Sequence, residues 1–545
     1  MKPPLLPLSY PATPESRARR NLTAGMRSVK FRVRRPRTLD IALTGPRMAP
    51  DLQEEAMTHP PNILFIMVDQ MRWDCLSVLG HPVVETPHLD ELGRQGVIFT
   101  SAFSPCPSCI AARASVFTGL SPSSHGRLGY RDEVPWRYRD TLVERFAAAG
   151  YQTHCVGKTH FFPQRLALGF GGLESYEAEQ NFGAGYINDY YAWLAQQTAG
   201  RVTERDSGAQ CNSWVARPSH LPEELHNNTW VATRSMEYLR RLDPTRPFFL
   251  FMSFHRPHPP IDPPKAFWDM YADRPVPAPH IGGWAAEHDV PVAGVNAWRG
   301  RLPAETLARS RRAYCAQIAH IDFQIGRVMN EMRRHVRPGP TWVVFTSDHG
   351  EMLGDHHLFR KSYAYQGSAG VPMIIVPPEG TKGGESTALD TASGARSHEC
   401  RAAVTLTDLF PTMLDAAGLP VPATCEGRSL LPLMRGEARL AGREFVHGEH
   451  SRTFAPAQDN QYLTDGREKY VWFPFDGREQ LFDLANDPGE TRDLSSDKAS
   501  RQRLELWRSR MVEQLAPREA DGLSDGKRLI SGKTLPAARP ELLAP

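Results

Sequence analysis

A chain of 545 residues with 41% hydrophobic and 23% charged residues can bury a large core, and it is long enough for one big domain and a smaller one. Lys+Arg 64 against Asp+Glu 61 leaves a net charge of +3, which argues against nucleic acid as the main partner and requires any anion selectivity to come from a local site. No stretch is long and apolar enough to span a bilayer, and eight irregularly placed cysteines do not form the pattern of a disulfide framework.

Residues 1–58 are rich in proline and arginine (Arg17, Arg19, Arg20, Arg32, Arg34, Arg35, Arg37) with no sustained apolar period, the composition of a disordered basic extension. No apolar segment follows the basic residues, so neither a Sec nor a twin-arginine signal is expected, and the expected location is the cytoplasm. Initiation at Met48 or Met57 is as good an expectation as a function for this arm.

From Pro61 on, strand and helix patterns alternate, which predicts an α/β domain over 59–432 with a large, mainly parallel sheet flanked by helices. Strands are expected at 62–68, 152–156, 248–254, 342–346 and 373–376, and helices at 89–95, 142–149, 229–242 and 313–334. The first strand is a continuous apolar run, as a strand buried on both faces should be. Residues 111–117 open a further helix, which sets Cys109 near its N-terminus, where free N–H groups and the dipole favour negative charge. Cys106-Pro107-Ser108-Cys109 also has the spacing of a redox or zinc pair, but no second Cys-x-x-Cys completes a structural zinc site. Residues 379–397, rich in Gly, Ser and Thr, read as a surface loop. Beyond 432 short strands at 445–447, 461–464, 469–472 and 480–483 alternate with turn signals such as Asp465-Gly466 and Asp476-Gly477, and a helix follows at 498–514. This predicts a smaller C-terminal subdomain over 433–517, an antiparallel sheet plus helix, and a loose tail over 518–545.

In open parallel sheets ligands sit beyond the carboxyl ends of the strands. The expected strands end in Asp69-Gln70, Gly157-Lys158-Thr159-His160, His255-Arg256-Pro257-His258 and Ser347-Asp348-His349-Gly350, so parallel strands bring all four polar endings to one edge. Asp69, Gln70 and Asp348 supply hard oxygen donors and His349 an imidazole or a proton, a set that suits one Ca²⁺ or Mg²⁺ more than zinc. Lys158, His160, His258 and Lys361 are the cations and proton donors that would face charge developing on a transferring group. Each piece alone has a plain structural explanation as a cap, a turn or a solvated side chain; their joint occurrence at strand ends does not.

Ser104-Pro105-Cys106-Pro107-Ser108-Cys109-Ile110-Ala111-Ala112-Arg113 resembles the maturation signature of type I sulfatases, in which the cysteine is oxidised to formylglycine. The stretch Gly150 through His160 is similar to the second signature of that family. Asp348 through Lys361, followed by Val371-Pro372-Met373-Ile374, looks like its metal-and-lysine segment, and Asp408-Leu409-Phe410-Pro411-Thr412 resembles its next helix. On these motifs the chain resembles the formylglycine sulfatases of the alkaline phosphatase superfamily over roughly residues 61–515.

The resemblance implies a sulfuric ester hydrolase acting on a small-molecule or carbohydrate sulfate. Hydrated formylglycine is a geminal diol: one oxygen attacks sulfur, and the other later expels the bound oxyanion by re-forming the aldehyde. It further implies one divalent metal, Ca²⁺ first with Mg²⁺ or Mn²⁺ as alternatives, held by Asp69, Gln70, Asp348, His349 and modified Cys109. Arg113 and His160 would orient the diol, Lys158 and Lys361 would hold sulfate oxygens, and His258 would protonate the leaving alkoxide, with His160 a competing candidate for re-forming the aldehyde. A formylglycine-generating maturation enzyme is the implied partner. Gln70 stands where many relatives carry Asp, and Ala111 where many carry Pro.

Three other readings follow from the same residues. Asp69-Gln70 and Asp348-His349 also resemble phosphonate monoester or phosphodiester hydrolases of the superfamily, against which the Lys158/His160 pair favours sulfate. Unmodified Cys109 would leave a non-catalytic, metal-dependent binder of sulfated glycans. A Cys106/Cys109 redox protein would form a reversible disulfide and need no metal. For the alcohol half of the substrate, the aromatic residues at 186–193 and 268–298, and His447, Glu449 and His450, are candidates for a pocket, although packing is the expected role of most of them.

Overall fold

The computed structural model describes residues 60–177, 188–336, 339–380, 399–437 and 439–543. The basic extension and nearly all of the 379–397 loop lie outside these described residues. The strands in chain order are β1 (Asn62–Asp69), β2 (Val97–Phe99), β3 (Ala102–Phe103), β4 (Gln152–Gly157), β5 (Gly172–Ser175), β6 (Phe248–Pro257), β7 (Thr341–Ser347), β8 (Met373–Val376), β9 (Glu399–Cys400), β10 (Val404–Thr405), β11 (Val446–His450), β12 (Asn460–Thr464), β13 (Glu468–Trp472) and β14 (Glu479–Asp483).

Eight of them form one sheet in the order β5-β4-β6-β1-β7-β8-β2-β9. All eight residues of β1 are buried, as its unbroken apolar run requires. Leu64, Ile66 and Val68 face one core and Ile63, Phe65 and Met67 the other, the period of two that a pleated strand imposes. Each such side chain contributes about 1.5–3 kcal/mol on burial. Ile63 to Val68 pair in parallel with Phe249 to Phe254 of β6 and with Trp342 to Ser347 of β7. β4 is parallel to β6 as well, so the ends of β4, β6, β1 and β7 share one edge. β8 runs antiparallel to β7, and β2 antiparallel to β8, which makes the sheet mixed beyond β7. The register slips between Val68 and Asp69, where Asp69 pairs with Pro257, a bulge of the kind that re-aims side chains beside a site.

Helices cover both faces. One core packs α1 (Pro87–Gln95), and the opposite core packs α2 (Cys109–Thr118) and α3 (Leu142–Ala148); α4 (Asn227–Leu239) and α5 (Ala304–Glu331) join α1, and α6 (Leu409–Ala416) joins α2 and α3. α3 begins at a capping box between Thr141 and Glu144. α5 starts nine residues before the apolar period at 313 becomes readable, because its first turns carry Glu305, Arg309, Arg311 and Arg312 and few large apolar residues.

β11 to β14 form an antiparallel sheet in sequence order. α7 (Arg501–Leu515) packs Trp507, Met511 and Leu515 against Leu463, Tyr470, Trp472 and Leu481 on one of its faces. The other face, with Tyr462, Val471 and Phe482, joins Phe103, Met352 and Tyr365. The expectation of a loose tail is corrected: Leu523 and Leu535 enter the same cluster as Trp507. Leu128 and Gly129 donate backbone bonds to Ala537 at 2.9 and 3.0 Å, and Leu535 donates to Asp459 at 2.9 Å. The tail has no period of its own because it is held by isolated apolar anchors and backbone bonds. Among the described residues no helix is long and apolar enough to cross a membrane.

Candidate active site

Cys109 is the first residue of α2 and is buried. Ser108 precedes it in an extended conformation and makes no side-chain cap bond, so the first turn keeps free N–H groups. Asp69 ends β1, Lys158 follows Gly157 at the end of β4, and Asp348 and His349 follow β7. Gly157 has φ +109°, and a Cβ there would lie 1.9 Å from the Ser253 carbonyl. That close approach of β4 to β6 is what aims Lys158 inward.

The donor atoms of Asp69, Cys109, Asp348 and His349 all lie within 4.8 Å of one another, and all four residues are buried. His349 Nε2 is 3.1 Å from Cys109 Sγ, 3.5 Å from Asp69 Oδ1 and 3.6 Å from Asp348 Oδ1. His349 Nδ1 donates to the Gly350 carbonyl at 2.9 Å, which leaves the Nε2 lone pair facing the cluster. The outer carboxylate oxygens are taken by cations: Lys158 Nζ pairs with Asp69 Oδ2, and Arg113 Nε with Asp348 Oδ2 at 3.0 Å. The inner oxygens therefore converge, the arrangement a hard divalent ion needs. Arg113 also donates to the Lys158 carbonyl at 2.8 Å and Ser253 Oγ at 3.0 Å, and its buried Nη2 has no hydrogen-bond partner.

Gln70, expected beside this cluster, has its amide engaged elsewhere. Its Oε1 accepts from Lys361 Nζ at 2.6 Å, and its Nε2 donates to Glu351. Lys361 Nζ also donates to His258 Nε2 at 2.8 Å, while His258 Nδ1 donates to the Pro259 carbonyl at 2.8 Å. His160 donates through Nε2 to Asp132 at 3.2 Å and hydrogen-bonds Cys109. Its backbone N–H, like that of Thr159, is held by Glu177.

Electrostatics follow from this packing. Burial opposes ionisation of Asp69, yet Lys158, His258, His349 and Lys361 outweigh it and hold its carboxyl well below the usual range. Burial works against the Lys158 ammonium, but Asp69 and Cys109 push its pKa up. Burial also opposes the charged form of His160, and its bonds to Asp132 and Cys109 prevail and raise it. Burial and then Lys361 push His258 well below the ordinary histidine value, and burial lowers His349 as well.

Several of these groups line a cavity of about 500 Å³. Cys109, Lys158, His160, His258 and Lys361 form its floor with His255, and Tyr130, Asp132, Cys211, Arg360 and Phe454 surround them. Phe454 comes from the segment between β11 and β12 and stacks on Trp298 at 5.6 Å with planes 3° apart. Arg360 lies over the same Phe454 ring at 5.5 Å. Glu351, Tyr130, Asp132, Arg360 and Phe454 have no sequence signal of their own; Glu351 and Arg360 merely lie inside the motif from Asp348 to Lys361. His447 bonds Gln461 within the smaller sheet, Glu449 pairs with Arg518 beyond the helix that follows it, and His450 bonds the Ser451 carbonyl; none of the three lines the cavity.

The family model described as Sulfatase matches residues 61–419, and one described as N-sulphoglucosamine sulphohydrolase, C-terminal, matches residues 354–517. An arylsulfatase of Clostridium perfringens is 40% identical over 485 residues, 87% of this chain and 98% of the relative. A choline-sulfatase of Rhizobium meliloti is 27% identical over 464 residues, 81% of this chain and 83% of the relative. The crystal structure of a phosphonate monoester hydrolase of Agrobacterium radiobacter superposes with a TM-score of 0.68 at 26% identity, covering 88% of this chain and 99% of that one.

Proposed function

This chain belongs to the sulfatase family and hydrolyses sulfate esters, and we propose that it does so through residue 109, oxidised from cysteine to formylglycine by a maturation enzyme. The observation that carries this reading is the buried convergence of Asp69, Cys109, Asp348 and His349 at the head of α2. Formylglycine supplies a hydrate with one hydroxyl as nucleophile and a second to expel sulfate. The divalent ion, for which Ca²⁺ is placed before Mg²⁺ and Mn²⁺, supplies Lewis acidity toward a sulfuryl oxygen.

The remaining steps belong to this chain's own side chains. Lys158 and Lys361 bind sulfate oxygens from two sides of the cavity. Arg113 holds Asp348 in place and has Nη2 left over for an oxygen on residue 109. His160, backed by Asp132, accepts a proton from the second hydroxyl as the aldehyde re-forms. His258 Nε2 delivers a proton to the leaving alcohol. Burial and then Lys361 keep this imidazole neutral in the structure; a sulfate ester drawn to Lys361 offsets the second, so that Nε2 takes up the proton it delivers. Tyr130 and the Phe454–Trp298 stack offer an aryl alcohol flat apolar contact.

The test compares 4-nitrophenyl sulfate with a phenylphosphonate ester on metal-loaded protein, alongside mass spectrometry of the peptide that contains residue 109. Faster sulfate turnover, an aldehyde at 109, and activity lost to a chelator and regained with Ca²⁺ are expected. Faster phosphonate cleavage would overturn the choice, and Asp69-Gln70 with Asp348-His349 is the feature that favours that second reading.

A further inference from the structure

We propose that Cys211, His255 and His258 form a second metal site in the wall of the catalytic cavity, one that takes a soft divalent ion such as Zn²⁺ and blocks ester hydrolysis when filled. The sulfur of Cys211 and one ring nitrogen from each histidine lie within 4.8 Å of one another, and all three residues line the cavity. Cys211 is not in a disulfide. Zinc bonds of about 2.0–2.3 Å require a tighter set than this, and Cys211 sits on a turn, outside helix and strand, where a small inward shift closes the gap.

His255 supplies the independent evidence. It is 2% exposed, and neither of its ring nitrogens has a hydrogen-bond partner. An imidazole buried this way is destabilising unless something coordinates it. Burial and the nearby Lys158 keep it neutral, the form a metal binds. Its ring centre is 4.7 Å from that of His258. The bond from His258 Nδ1 to the Pro259 carbonyl fixes the tautomer that presents Nε2. On binding, Nε2 exchanges its contact with Lys361 for the ion, and the Cys211 thiol releases its proton to solvent.

Donor chemistry separates the two sites. One sulfur and two imidazoles select zinc-like ions, whereas the carboxylates of Asp69 and Asp348 select hard ones. Occupation removes Nε2 of His258 from the reaction; that inhibitory consequence, unlike the binding itself, rests on His258 being the proton donor.

The full chain, saturated with Ca²⁺, is titrated with Co²⁺ as a spectroscopic stand-in, and with Zn²⁺ during turnover of 4-nitrophenyl sulfate. A thiolate-to-cobalt charge-transfer band is expected that Zn²⁺ displaces, that persists in Cys109→Ala, and that is lost in Cys211→Ser and in His255→Asn. Cys211→Ser should turn over at the parental rate while needing about 10–100-fold more Zn²⁺ for half inhibition. A band that survives Cys211→Ser, or no band at all, overturns the proposal, as does unchanged zinc inhibition in that variant. A Cys211-dependent band in a chain without sulfatase activity supports the site and removes only the inhibitory consequence.

Discussion

Replacing His258 with Asn should slow turnover by about 10²–10⁴-fold, and the loss should grow as the leaving alcohol becomes more basic. Rates for 4-nitrophenyl, phenyl and alkyl sulfates check this, because an alkoxide needs the proton more than a nitrophenolate does. A uniform loss across the series would assign the imidazole to binding alone. At this scale the residues that converge on the cavity and its buried cluster are readable in the sequence because Asp69, His258 and Asp348 each follow an apolar run whose end is plain, and Lys158 ends the stretch from Gly150 to His160. Asp132 is not readable: it reaches His160 across 28 residues from a segment with no period. Phe454 and Glu351 are likewise placed by tertiary folding. Gln70 shows a further limit, since its oxygen fits a ligand role by type and yet is held by Lys361.

Among the elements, the junction of β4 with β6 is the least tolerant of change. Gly157→Ala puts a methyl group against the Ser253 carbonyl and forces a positive φ on a residue with a side chain. Strain of about 1–3 kcal/mol is expected from the backbone alone, read as a lower midpoint in denaturant unfolding, together with reduced activity as Lys158 shifts. Substituting Gly150, which has open space around it, should not displace Lys158. β1, β6 and β7 are legible because burial on both faces demands unbroken apolar runs. The direction of β8 is not, because a run of four apolar residues is the same read from either end.

At the scale of the whole molecule, buried histidines contribute to the acid limit, His125 and His320 among them. His125 and His320 are both pushed down to about 3 by burial, with Arg127 and Arg327 respectively adding to the shift. Each remains neutral when folded and takes up a proton near its ordinary value when unfolded. Their contribution is therefore present above pH 6.5 and is lost as pH falls toward 3, at about 1.4 kcal/mol per pH unit for each residue. Melting temperatures between pH 7 and 5 should fall, and His320→Gln should flatten the slope; an unchanged slope would reject this account. Removing residues after Arg518 strips Leu523 and Leu535 from their cluster, an expected loss of roughly 3–6 kcal/mol. Tyr130 lines the cavity one residue beyond Gly129, which bonds Ala537, so the truncated chain should also show a raised KM.

The segment between β11 and β12, which delivers Thr453 and Phe454 to the cavity, contains none of the groups that break the sulfur–oxygen bond. On the proposed reading, selectivity for the alcohol is in this respect detachable from the power to cleave. Grafting that short connection from a relative should redirect preference among bulky esters while the rate on the smallest ones stays put, a route by which one scaffold changes its choice of ester without rebuilding its reactor.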